Sequence, residues 1–100
     1  MAATIEVRPG QRWTAASWLF DWVLSHVASE VGDAELAGHL RGIVGENLGF
    51  LSLSEVTEAQ RSQSMDAAAE LPTAAAKEWH DFEGRDQALD LLRAFKVGIG

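Results

Sequence analysis

Apolar residues recur at helical spacing along most of the chain and alternate with polar residues only near its two ends. The clearest helical stretch begins at about Thr14, a candidate N-cap residue, and ends at Gly32-Asp33. Its apolar positions fall on one face of a helix with about 3.6 residues per turn. They are Ala16, Phe20, Val23, Val27 and Val31. This pattern predicts the first helix.

Four glycines recur at spacings of four, three and four in the next segment, residues 33–50. They are Gly38, Gly42, Gly45 and Gly49, and the helical period places them on one face. A separate stripe on the same helix, apolar except for one asparagine, contains Leu36, Leu40, Ile43, Asn47 and Phe50. Because each glycine costs a helix roughly 1 kcal/mol relative to alanine, we expect the bare face to pack closely against a neighbour. The pattern predicts a central helix over residues 33–50, packed on two sides.

Capping and breaking residues divide the remainder into three further helices. Ser52 and Glu55 have the spacing of a capping box at the start of a third helix. Pro72-Thr73 ends that helix and begins the next. Gly84 breaks the fourth segment, and Asp86 is a candidate cap for the last helix.

The strand-like alternation lies at the chain ends, in residues 4–8 before Pro9-Gly10 and in a tail that contains Phe95, Val97 and Ile99. Both stretches are short. The sequence therefore predicts a mainly α fold, a small four- or five-helix bundle in one domain over residues 1–100. The two ends can pair in this fold as a short terminal β-ribbon.

Composition and charge narrow the class of partner. The chain has 100 residues, 47% of them apolar and 23% charged, which is typical of a globular domain. Eight basic and fifteen acidic residues give a formal net charge of −7, which disfavours nucleic acid and anionic membrane surfaces and permits a basic protein partner. The absence of cysteine and of an apolar secretion signal near the N-terminus predicts a cytoplasmic location.

Trp18 and Trp22 stand one turn apart on the side of the first helix that lies away from Phe20 and Val27. That helix is therefore apolar nearly all round. Such a helix either receives later helices of its own domain or shares one face with another chain. We predict self-association through Trp18 and Trp22, and burial against later helices is the alternative.

A second aromatic pair lies among acidic residues near the C-terminus. The segment contains Trp79, Asp81, Phe82, Glu83 and Asp86. Aromatic side chains can anchor a protein partner while carboxylates steer and orient it. We predict that these five residues bind a partner, and a solvated helix face with two core aromatics is the alternative.

The histidines provide a metal-binding alternative. In an antiparallel hairpin of the first two helices, His26 and Glu30 would approach Glu35 and His39, which are ligand types for zinc, manganese or iron. Exposed polar pairs at helical spacing explain the same residues without a metal. No zincin motif or paired Glu-x-x-His signature accompanies them.

The stretch Leu48-Gly49-Phe50-Leu51-Ser52-Leu53, followed by Val56, resembles a segment of acyl and peptidyl carrier proteins. In that family a serine at a helix start receives a phosphopantetheine arm, and the resemblance implies this role for Ser52. Capping of a helix by Ser52 is the alternative interpretation.

No nucleophile motif of the Gly-x-Ser-x-Gly type occurs, and cysteine and tyrosine are absent. The sequence thus predicts a non-catalytic, self-associating protein-binding module without a cofactor. The size and negative charge of the chain are those expected of an acidic inhibitor or immunity-type protein that neutralises a basic toxin or nuclease. A small helical metal-binding protein or enzyme and a divergent carrier-like protein are the alternatives.

Overall fold

The computed structural model describes residues 2–99, which form three strands and five helices. In chain order these are β1 (Ala2–Arg8), β2 (Gln11–Ala16), α1 (Ser17–Glu30), α2 (Ala34–Gly45), β3 (Phe50–Ser52), α3 (Glu58–Ala69), α4 (Leu71–Glu78) and α5 (Arg85–Ile99). No helix within this part of the chain is long and apolar enough to cross a membrane.

The strands form one mixed sheet in the order β2-β1-β3. β1 pairs antiparallel with β2 through a hairpin at Pro9-Gly10, where Gly10 has a positive φ of 83°. β3 pairs parallel with β1, so that Ile5 lies beside Leu51. Alternate residues of β1 are buried, with Ile5 1% exposed, because one face of the sheet packs against helices.

The predicted helical bundle is wrong, because a three-stranded sheet is part of the fold, although 62% of the described residues are helical. The prediction and the structure differ largely at the predicted start of the first helix, which is part of strand β2. Trp13 and Ala15 are buried while Arg12 and Thr14 are exposed, which is the two-residue period of a strand. The Thr14 hydroxyl oxygen lies 3.2 Å from that of Thr4 on β1. Thr14 therefore belongs to β2, and α1 begins at Ser17.

The predicted ribbon between the chain ends is also wrong. β1 exists, but its partners are β2 and β3. The C-terminal tail is helical, and Phe95 packs from α5 against Trp13 with 5.0 Å between ring centroids. The alternation in the tail therefore coincides with a helix whose apolar face covers β2.

The second helix is shorter than predicted, and its glycine-bearing face is exposed to solvent. Asp33 caps α2 as predicted, with its Oδ1 accepting a hydrogen bond from the Leu36 amide at 2.9 Å. The helix ends at Gly45, and Phe50 lies in β3. The apolar stripe is buried as predicted at Leu36, Leu40 and Ile43.

Gly38, Gly42 and Gly45 are exposed, and a Cβ added to any of them would meet nothing within 4 Å. The prediction that this face packs against a neighbouring element is therefore wrong for the described chain. The fourth glycine, Gly49, lies outside the helix and has a positive φ of 69°. Burial of the opposite, apolar stripe offsets the low helix propensity of these residues.

For the later helices, the predicted break at Pro72 agrees with the structure, whereas the predicted capping residues do not. Pro72 lies in the first turn of α4, as expected. The capping box of α3, however, is formed by Thr57 and Gln60 rather than by Ser52 and Glu55. Asp86 lies inside the first turn of α5 instead of before it.

Candidate protein-binding surface

The structure joins the two aromatic surfaces that the sequence suggested separately. Trp18 and Trp22 on α1 meet Trp79 and Phe82, which lie in the loop between α4 and α5. We call these four residues the aromatic cluster. Two segments more than fifty residues apart in sequence thus contribute to one site.

The loop of residues 79–84 is held in place by its two ends. The Trp79 amide donates to the Ala75 carbonyl at 2.8 Å, which caps α4. At the other end, the Arg85 amide donates to the Phe82 carbonyl at 3.1 Å, and Gly84 adopts a positive φ of 87°. This left-handed conformation favours glycine. The turn thereby presents Trp79 and Phe82 to α1.

Three rings of the cluster contact one another. The Trp18 centroid lies 5.6 Å from that of Trp79 and 5.9 Å from that of Phe82, and Trp79 and Phe82 are also 5.9 Å apart. Their planes are inclined at 60° to 78°, which is the tilted or edge-to-face arrangement that aromatic pairs favour. Trp22 extends the cluster, with its centroid 4.9 Å from Trp79. The cluster is therefore packed without any partner.

The aromatic cluster faces solvent at Trp18, which is 49% exposed. The other three members are half-buried. Leu48 and Phe50 are the other large apolar residues exposed in the described chain, and they lie at and just before β3. A half-exposed indole within a packed aromatic cluster is a feature of protein-binding surfaces.

Exposed carboxylates lie beside two members of the cluster, Trp22 and Phe82. The Trp22 Nε1–H donates to Glu78 Oε1 at 3.4 Å, which places one carboxylate against the rings. Asp81, Glu83 and Asp86 are exposed in or beside the same loop. We call these four residues the acidic rim. None of them is in an ion pair with a lysine or arginine whose side chain the structure describes.

Arg85 lies beside the acidic rim but forms no ion pair with it in the described structure. Its Nη2 donates to the Ala76 carbonyl at 3.3 Å, so the guanidinium bonds to the backbone of α4. Its Nε is buried and has no hydrogen-bond partner in the described structure. A shallow depression of about 230 Å³ lies here, bordered by Phe82 and Arg85 as well as by Asp81, Glu83 and Asp86. The rim carboxylates thus remain available to a cation from outside.

The candidate metal ligands do not come together. His26 stacks on Trp22, with 5.3 Å between centroids and 19° between planes. Glu35 and His39 border a different depression, and Glu30 borders a third. Within residues 2–99, no group of three or more histidine, cysteine or acidic side chains is placed to hold a metal ion. The geometry gives the metal-binding alternative no support.

Ser52 is not at a helix start. It lies in β3, is 8% exposed, and its Oγ is 2.7 Å from Ser54 Oγ. It also donates to Glu6 Oε1 at 3.5 Å. The position that the carrier-protein resemblance implies for this serine is therefore absent from the described fold.

The sequence places Glu78 in the acidic stretch around Trp79 and Phe82, but sequence reasoning did not assign His26 to this surface. Glu78 contacts Trp22 because α1 lies beside the end of α4. His26 stacks on Trp22 from one turn further along the same helix. The i,i+4 spacing of Trp22 and His26 was the signal available for His26. Comparison of the chain with protein-family models, curated proteins and solved structures found no match in any of the three.

Proposed function

We propose that this protein is a non-catalytic binding module that holds a basic protein against its aromatic cluster and acidic rim. The observation that carries the proposal is the half-exposed Trp18, packed on Trp79 and Phe82, with the acidic rim beside Phe82 and Trp22. Tryptophan is enriched among the residues that dominate binding energy at protein interfaces. A rigid aromatic anchor also loses little side-chain freedom on binding.

The charge of the surface favours a basic partner over a second copy of this chain. Two copies that met through this surface would bring their acidic rims together, and each chain already carries a formal net charge of −7. A basic protein would be attracted by the same charges, which increase association rates and suppress like-charged partners. The predicted self-association through Trp18 and Trp22 would use the same rings and would compete with this partner.

The biological role that we propose is that of an acidic inhibitor or immunity-type protein that covers the basic surface of a toxin or nuclease. The size, the charge and the aromatic anchor support it. A cytoplasmic location is part of the same proposal. The interaction needs neither a cofactor nor a catalytic group on this chain.

Affinity capture from cells that contain the protein tests the proposal. The rim variant combines Glu78→Gln, Asp81→Asn, Glu83→Gln and Asp86→Asn. A control variant combines Glu30→Gln, Glu46→Gln, Asp66→Asn and Glu70→Gln, which neutralises four other exposed carboxylates. Both variants therefore have the same net charge.

We expect the wild type and the control variant to retain the same basic protein, and the rim variant to lose it. Calorimetry with that protein should show a dissociation constant at least about tenfold weaker for the rim variant. Equal retention by both variants, or capture of an acidic protein that depends on Trp18, would contradict the proposal.

A further inference from the structure

We infer that the group bound by the aromatic cluster is an arginine side chain of the partner. Its guanidinium would stack on the exposed face of Trp18 and donate hydrogen bonds to a carboxylate of the acidic rim. This inference rests on the proposed function and adds the chemical identity of the anchor. The distances between the rings of the cluster favour arginine over lysine as this anchor.

The three mutually packed rings leave no room for a cation between them. A cation is attracted to an aromatic ring when it lies within about 6 Å of the centroid. Trp18, Trp79 and Phe82 are already 5.6 to 5.9 Å from one another, so they occupy that space themselves. A compact ammonium group, which gains most from being enclosed by several rings, therefore has no enclosure here. A cation must bind on the outer face of one ring.

Trp18 is the most accessible ring of the cluster, because it is 49% exposed and the other members are half-buried. A guanidinium is planar and weakly hydrated, and it stacks on a single aromatic face. The lysine ammonium is a compact, strongly hydrated point charge, so it gains less than a guanidinium from contact with one exposed ring. A single exposed indole therefore discriminates in favour of arginine.

The acidic rim supplies acceptors for the edge of a stacked guanidinium. Phe82 is packed edge-to-face on Trp18, and it lies between Asp81 and Glu83 in the chain. On the α4 side, Glu78 is bonded to Trp22. A guanidinium has five N–H donors arranged as a planar fork that matches a carboxylate. The chain's own Arg85 does not occupy this position, because it bonds to Ala76.

Two peptides of equal length and charge test the inference, one with arginine and the other with lysine at alternate positions, separated by glycine. Their affinities are measured by calorimetry for the wild type, for Trp18→Leu and for Phe50→Leu. Trp18→Leu keeps an apolar side chain but removes the stacking surface. Phe50→Leu is the matched control, because Phe50 is also an exposed aromatic residue, 45% open on β3. Circular dichroism verifies that each variant is folded.

We expect the wild type and Phe50→Leu to bind the arginine peptide about fivefold more tightly than the lysine peptide. Trp18→Leu should lose most of this preference, because only the hydrogen bonds to the acidic rim would still favour arginine. Equal affinities for the wild type, with both peptides weakened in the rim variant, would overturn the arginine inference and leave the basic-partner proposal standing. If the wild type binds neither peptide, the inference is also overturned, and the captured protein alone decides the proposed function.

Discussion

The indole Nε1–H of Trp13 on β2 donates a hydrogen bond to the backbone carbonyl of Leu91 on α5, with an N–O distance of 2.8 Å. The two residues are 78 positions apart in the chain. Trp13 is only 7% exposed, and its ring also packs edge-to-face on Phe95. This contact fastens the last helix to the N-terminal hairpin.

Trp13→Phe should destabilise the protein by about 2 kcal/mol, because it removes this hydrogen bond and leaves space beside Phe95. Urea denaturation followed by far-ultraviolet circular dichroism measures the change. Phe50→Leu, at an exposed position, should change stability by no more than about 0.5 kcal/mol. Equal effects of the two substitutions would mean that Trp13 does not join β2 to α5.

Gly38→Ala and Gly42→Ala should each stabilise the protein by roughly 0.5 to 1 kcal/mol, because both positions are helical and a Cβ there meets nothing within 4 Å. Thermal unfolding measures the effect. Gly49→Ala is the contrasting variant and should be destabilising, since its φ is 69°. A loss of stability in the two helical variants would show that the bare face of α2 is packed in solution.

Thr57→Ala should destabilise the protein by about 1 kcal/mol, because Thr57 Oγ1 accepts a hydrogen bond from the Gln60 amide at 3.1 Å. The free energy of unfolding in urea is the measurement. Ser62→Ala, at an exposed position within α3, provides the matched control and should have little effect. The cap would be unimportant if the two alanine variants proved equally stable.

Self-association through Trp18 should be weakest at low salt, because the acidic rims of two copies would then repel one another unscreened. The screening length falls from about 10 Å at 0.1 M salt to about 3 Å at 1 M. Analytical ultracentrifugation across this range should show a mass that rises with salt, and Trp18→Glu should remain monomeric. A dimer that is insensitive to salt and survives Trp18→Glu would place self-association on another surface.

The sequence predicted elements where local signals and tertiary packing agree. Asp33 caps α2 and Pro72 opens α4, as expected, because both effects depend on a few neighbouring residues. β2 was missed because Trp13 and Ala15 are compatible with a helix as well as a strand. Pairing with β1 decides between them, and this is a non-local effect.

The candidate surface was also predicted only in part, because its residues were identified but their contact was not. Trp18, Trp22, Trp79 and Phe82 stood out in the sequence as two separate pairs. Their union depends on how α1 lies against the end of α4, which no local pattern reports. The exposed glycines of α2 failed as an indicator of packing, because low helix propensity alone does not identify a neighbour.

The indole N–H signals of the four tryptophans in a proton–nitrogen correlation spectrum test the proposed surface most directly, with the arginine peptide as the titrant. We predict that the Trp18 signal moves most and that those of Trp22 and Trp79 follow. The signal of Trp13 should stay fixed, because that indole is buried and bonded to Leu91. Movement of Trp13 alone, or of all four signals equally, would contradict binding at the aromatic cluster.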